Sequence, residues 1–235
     1  MISCAILLAA GSGTRMQGSV EDKVLVPINC KPAILYSIEA FVASKVVDKF
    51  IIVYRDKVQK DGILSVIQKN GLSHLNIETT LGGSDRQTSV FCALKTIDPK
   101  CKQVFIHDCA RPCISSEAIK ELHIIAKQDG AACLAHPVVD TIKQIKSADK
   151  VRKQKLENLD RSGLWAMETP QVFNFKDILA AYEYIVKEEL IVTDDAAAAD
   201  TIGIKCSLVK STEPNPKLTS PGDLVYIEYL LKKDN

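Results

Sequence analysis

The sequence has no apolar run near the roughly 20 residues of a bilayer-spanning helix. Its first strand-like run passes straight into a glycine loop, with no cleavage site or Arg/Ser-rich amphipathic leader before it, so the chain is expected to be cytoplasmic and off the membrane. A surplus of either charge is also missing. Thirty Lys and Arg against 29 Asp and Glu create no broad field for nucleic acid or an anionic surface, so any anion must be gripped locally. The eight cysteines include no C-x-x-C pair, which argues against a zinc or disulfide framework. Most sit in apolar runs and are expected to be buried thiols; Cys109 and Cys113 flank a polar loop, where a thiolate role stays open. Internal repeats and domain linkers are absent, so a single domain over 1–235 is expected.

Apolar runs at Ala5–Leu8, Phe50–Val53, Ile77–Thr80, Val104–Ile106 and Ala131–Ala135 predict strands. Helical patterns between them cover about Ile34–Ala43, Val58–Lys69, Arg86–Lys95 and Glu117–Lys127. This alternation predicts an α/β fold with a parallel sheet covered on both faces. From His136 to about Thr169 the pattern changes to a Lys- and Arg-rich segment between two loosely alternating stretches, which predicts a hairpin arm. Regular structure resumes with a helix near Lys176–Lys187, a small-residue helix after Thr193, a strand at Lys205–Val209 and a closing helix with Ser220 as cap and Pro221 in its first turn.

The functional signal lies at strand ends. In "AILLAAGSGTRM" a buried-strand run breaks into Ala9, Ala10, Gly11 and Gly13, small residues that leave backbone amides bare, and Arg15 adds a cation. Such a loop suits phosphate, yet it matches neither G-x-G-x-x-G nor the Walker pattern. Gly82, Gly83, Arg86 and Ser89 follow the third strand, and Asp108 and Arg111 the fourth; the first and fourth strand ends are expected to face one cleft. Cations and hydroxyls around one strand-end carboxylate suggest phosphates with a divalent metal, Mg²⁺ at Asp108. Asp108 as a cap or a partner of Arg111 is the plainer alternative. His107 is expected to be a core or orienting residue.

The motifs "LLAAGSGTRM", "GGSDRQTSV", "HDCARP", "DRSGLWAMETPQVF" and "NPKLTSPGDL", in that order along nearly the whole chain, resemble the 2-C-methyl-D-erythritol 4-phosphate cytidylyltransferases of the non-mevalonate isoprenoid pathway. The resemblance implies a Rossmann-like three-layer nucleotidyltransferase fold, with a mostly parallel sheet and a protruding β-arm at about 137–169 that serves homodimerisation. It implies CTP and a sugar-alcohol phosphate as substrates and Mg²⁺ as cofactor. Arg15, Lys23 and Lys217 would be catalytic, and Ala9, Ala10, Gly11, Gly13, Gly82, Gly83 and Ser89 would hold the nucleotide. Arg111, Asp140, Thr141, Arg161, Thr169 and Thr193 would hold the acceptor. Three positions depart from the family pattern: Lys23 follows Asp22 instead of proline, Ser84 stands where acidic residues are common, and Pro214 follows Glu213 where an acidic residue often stands, which argues against a second metal ligand there. A ribitol-5-phosphate cytidylyltransferase, or a catalytically silent nucleotide-binding protein, are the competing readings.

Overall fold

The computed structural model describes residues 2–11, 22–145 and 152–232. Eleven strands and seven helices follow in the order β1 (Ile2–Leu8), β2 (Pro27–Ile28), β3 (Lys31–Pro32), α1 (Ala33–Ser44), β4 (Lys49–Tyr54), α2 (Lys57–Lys69), β5 (Ile77–Leu81), α3 (Arg86–Leu94), β6 (Cys101–Asp108), α4 (Ser116–Asp129), β7 (Ala131–Pro137), β8 (Lys143–Gln144), β9 (Glu157–Asn158), β10 (Trp165–Asn174), α5 (Phe175–Lys187), α6 (Asp195–Asp200), β11 (Ser207–Lys210) and α7 (Pro221–Lys232).

Seven strands form the central sheet in the order β11-β7-β10-β6-β1-β4-β5. Neighbours are parallel except around β10, which runs antiparallel to both β6 and β7. Strands buried on both faces read as unbroken apolar runs, and β1 is an example. Cys4 and Ile6 join the core beneath α3 and α5, whereas Ala5 and Leu7 join the one beneath α1, α2 and α4. The doubly covered sheet is therefore as expected, with element ends within about three residues of the periodicity reading.

Two expectations need correction. Residues 165–169 are not arm: β10 begins at Trp165, inside the sheet, and the arm is confined to the chain between β7 and β10. This strand escapes a periodicity reading because Thr169-Pro170 interrupts it; the β10–β7 register slips between Met167 and Gln171, and a proline inside a central strand is tolerated at such a bulge. The arm's ladder is only two residues per strand, Lys143 opposite Asn158 and Gln144 opposite Glu157. The last sheet strand starts at Ser207, not Lys205. The expected closing helix is present with Pro221 in its first turn, directly after Ser220, and Asp223 secures that turn by accepting from the Thr219 and Ser220 N–H groups.

Cys4, Cys101 and Cys133 are buried, as their apolar settings predict, and so is Cys109, while Cys30 is exposed and Cys92, Cys113 and Cys206 are half-buried; none is joined in a disulfide. Burial pushes the Cys109 thiol far above its ordinary range, which removes it as a thiolate candidate.

Candidate active site

Parallel strands deliver their carboxyl ends to one edge of the sheet, and here those of β1, β4, β5 and β6 do so. A cleft of about 360 Å³ opens there, walled by Ala10 and Gly11 after β1, Gly83 and Ser89 around the start of α3, Asp108 at the end of β6, and Lys23 and Lys217 from distant loops. Arg15 and Gly13 fall outside the described residues.

The small residues of this edge are demanded by contact. A β-carbon on Gly82 would lie 2.8 Å from Ser89 Oγ and 2.9 Å from the Ala10 β-carbon, and one on Gly11 would lie 3.0 Å from Lys23 Nζ. The loop after β5 thus packs its Gly82 backbone directly against the small side chains of Ala10 and Ser89. Ser89, buried in the first turns of α3, accepts the Gly83 N–H at 3.1 Å, and Asp85 caps the same helix by accepting the Thr88 N–H at 2.8 Å. Gly82→Ala is accordingly expected to destabilise the fold by ~1–3 kcal/mol through overpacking, measured by denaturant unfolding. An unchanged midpoint would show that the two loops can separate freely.

Asp108 is the electrostatic centre. It is 7% exposed, and its Oδ1 accepts from Arg86 Nε at 3.1 Å while Oδ2 accepts from Lys217 Nζ at 2.5 Å. Burial alone would raise this carboxyl; Arg86 and Lys217 overcome that and hold it well below the usual carboxylate range. The expected alternative partner, Arg111, meets Asp108 only through the backbone, its N–H donating to the Asp108 carbonyl at 2.9 Å.

Arg86 continues past Asp108 to a second carboxylate, donating from both terminal nitrogens to Asp195 at 3.1 and 2.7 Å. Asp195 is wholly buried at the start of α6 and also accepts from Tyr182 Oη at 2.6 Å. Burial disfavours the guanidinium charge, but Asp195 and Asp108 together hold Arg86 protonated far above its ordinary value. Arg86 was singled out in sequence only as a strand-end residue. The signal for its partner was an acidic pair, Asp194-Asp195, opening an alanine-rich helix, and nothing local says that this pair reaches across the sheet.

Lys23 is secured from behind. The Asp22 carboxylate, standing where the family pattern has proline, accepts from Gln59 Nε2 at 2.6 Å, from Arg55 at 3.3 Å and from the Val24 N–H at 3.0 Å. Gln59 also donates to the Ala9 carbonyl at 2.9 Å, so one buried side chain of α2 ties the Lys23 loop to the β1 loop.

The expected acceptor set is dispersed. Thr169 is buried with its hydroxyl turned inward to Asp108 N and His107. Arg111 spends its terminal nitrogens on the Asn215 carbonyl at 2.7 Å and the Met167 carbonyl at 3.4 Å, acting as a brace between loops. Arg161 donates to the Val139 carbonyl at 2.8 Å. Asp140, Thr141 and Thr193 are exposed. None of these six lines the cleft.

An α/β sheet that gathers glycine-loop amides, two lysines and an arginine around one carboxylate at its carboxyl edge has the build of a nucleotidyltransferase, an enzyme that moves a nucleotidyl group between phosphates. A family model described as 2-C-methyl-D-erythritol 4-phosphate cytidylyltransferase matches residues 3–233. Proteins of that name from Dictyoglomus thermophilum and Clostridium acetobutylicum are 36% and 35% identical to the chain, covering 97% and 100% of it and 96% and 99% of their own lengths. Two solved structures, each 27% identical, superpose over 98% of the chain: a 4-diphosphocytidyl-2C-methyl-D-erythritol synthase from Anaerococcus prevotii, at a TM-score of 0.83 over 96% of its length, and a 2-C-methyl-D-erythritol 4-phosphate cytidylyltransferase from Francisella tularensis, at 0.80 over its full length. The chain belongs to the 2-C-methyl-D-erythritol 4-phosphate cytidylyltransferase family.

Proposed function

We propose that the chain transfers CMP from CTP to 2-C-methyl-D-erythritol 4-phosphate, giving 4-diphosphocytidyl-2-C-methyl-D-erythritol and pyrophosphate. The observation that carries this reading is the convergence of Lys23, Lys217 and the glycine-loop amides on one cleft beside Asp108, in a chain of this family. A phosphate monoester has a second pKa near 6, so at neutral pH the acceptor oxygen is already an anion and attacks the α-phosphorus without a general base. The new O–P bond forms as the bond to the β-phosphate oxygen breaks, and pyrophosphate leaves. Burial of His107, whose pKa is pushed down to about 4, accords with a reaction that needs no base. The task left to the protein is to bring two anions together and neutralise charge on the leaving group, which suits Lys23, Lys217 and, from its motif, Arg15.

Asp108 is a hard oxygen ligand, and the described residues hold no group of three His, Cys, Asp or Glu. A metal here would take one carboxylate and otherwise substrate phosphates and water, the donor set that suits Mg²⁺. Bound there it would draw charge from the triphosphate. Asp108→Asn is expected to raise the Mg²⁺ concentration for half-maximal rate; an unchanged titration removes Asp108 from the metal site.

We assign the chain to the cytoplasm, in keeping with the described helices, none of which is long and apolar enough to cross a membrane. Homodimerisation through the arm is the natural complement to its construction. A two-residue ladder is marginal alone in water. Val139 and Leu156 on the arm are 79% and 57% exposed, apolar surface that a second subunit would cover. The arm would then carry Asp140, Thr141 and Arg161 to an acceptor. Sedimentation at micromolar concentration is expected to give a dimer, and Arg161→Ala to raise KM for the acceptor with little change for CTP. A fully active monomer overturns this part.

The whole reading is tested by pyrophosphate release with Mg²⁺ and CTP, UTP, ATP or GTP against methylerythritol phosphate and ribitol phosphate. Turnover with CTP and methylerythritol phosphate is expected. Turnover with ribitol phosphate alone would make the acceptor wrong, and none with any pair would leave a silent nucleotide binder.

A further inference from the structure

His107 is a buried titratable residue that the reaction above does not use. Its ring lies edge-on to Phe41, centroids 5.6 Å apart, yet both nitrogens are engaged: Nδ1 is 3.0 Å from Thr169 Oγ1, and Nε2 is 3.2 Å from Ser37 Oγ on α1. The backbone sets the direction of these bonds. The Asp108 N–H donates to Thr169 Oγ1 at 3.1 Å. Thr169 has one hydroxyl proton, and among the described residues Nδ1 is the acceptor in reach of it. A hydroxyl donating in this direction pairs with an unprotonated Nδ1, which leaves Nε2–H toward Ser37 Oγ.

Thr169 is also where the two halves of the charge cluster are hung together. Its carbonyl accepts from Asn215 Nδ2 at 3.0 Å, two residues before Lys217, and the Leu218 N–H just after Lys217 donates to the Ala110 carbonyl at 2.7 Å. We infer that His107 is a positioning residue: as the Nε2–H tautomer it locks the Thr169 hydroxyl, and so fixes the Asp108 amide and the Lys217 loop relative to one another. This rests on the roles proposed above for Asp108 and Lys217.

The test combines tautomer and kinetics. Nitrogen-15 spectra of the wild-type chain are expected to show His107 with Nδ1 unprotonated and Nε2 protonated. His107→Leu and Thr169→Val are each expected to lower kcat on the order of tenfold, with KM for CTP little changed, because donors displaced by a fraction of an ångström lose alignment with the transition state. The double variant is expected to be no slower than the slower single one, since both changes cut the same link. His107→Asn, whose Oδ1 stands near the place of Nδ1, and Thr169→Ser are expected to recover most of the rate. An Nδ1–H tautomer, losses that multiply in the double variant, or no recovery in either conservative variant overturns the inference. If His107→Leu fails to fold, the tautomer and the Thr169→Val and Thr169→Ser pair still decide. Wild-type protein with no turnover would instead count against the proposed activity, while the tautomer would still judge the relay.

Discussion

Lys217→Ala is expected to lower kcat by on the order of 10²-fold or more, the scale of losing one preorganised donor to a developing charge. In the resting chain the Lys217 ammonium sits 2.5 Å from Asp108 Oδ2, at the mouth of the cleft. Its removal leaves Asp108 the Arg86 contact at 3.1 Å, so the fold should survive while the transition state loses a cation. KM for CTP should change less than kcat, because a group used mainly in the transition state contributes little to ground-state binding. Lys23→Ala is expected to show a comparable loss in kcat with a larger effect on CTP binding, since its ammonium stands 3.0 Å from where a Gly11 β-carbon would lie, beside the glycine loop. Steady-state kinetics of the two variants checks both statements. Near wild-type turnover in both would remove the lysines from the chemistry.

The second large effect is expected on stability. Arg86→Met leaves Asp195, which is 0% exposed, with the Tyr182 hydroxyl as its side-chain hydrogen-bond partner among the described residues, and leaves Asp108 with Lys217 as its salt-bridge partner among them. Removing one partner of a buried ion pair strands the other charge, a loss of about 3–5 kcal/mol. Thermal and urea unfolding should show it. The mechanism predicts its own rescue: Arg86→Met with Asp195→Asn is expected to be more stable than Arg86→Met alone, because the amide needs no counter-ion in the core. A double variant less stable than Arg86→Met would mean that Arg86 stabilises through packing of its stem and not through charge.

The doubly covered sheet was legible because burying a parallel strand on both faces demands an unbroken apolar run, and β1, β4, β6 and β7 each have one. The phosphate-type loops were legible for a similar reason: close approach of two loops leaves no room for a side chain, and Gly82 against the Ala10 β-carbon and Ser89 Oγ shows the exclusion directly. β10 was not legible as a strand. Glu168 and Pro170 are residues a central strand avoids; Glu168 is accommodated here by hydrogen bonds to His136 and Asn215 and Pro170 by the register slip beside it, while Thr169 between them is bonded to Asp108 and His107. All of those partners except Asp108 and His107 come from separate parts of the chain, and none is adjacent to β10 in sequence.

By itself the sequence determined the elements whose cause is local, namely the apolar runs and the glycine turns, and it placed Asp108 at a strand end expected to share a cleft with the first loop, while Lys23 and Lys217 were marked by the motifs around them. Tertiary structure alone decided how those groups are charged and held. Arg86 joins Asp108 to Asp195 across residues 86, 108 and 195, Asp22 is anchored by Gln59, and Thr169 serves the interior in place of a ligand. Coulomb energy and desolvation depend on distance and burial in space, which separation along the chain does not encode, so the pairings existed only once the sheet had brought its strand ends together.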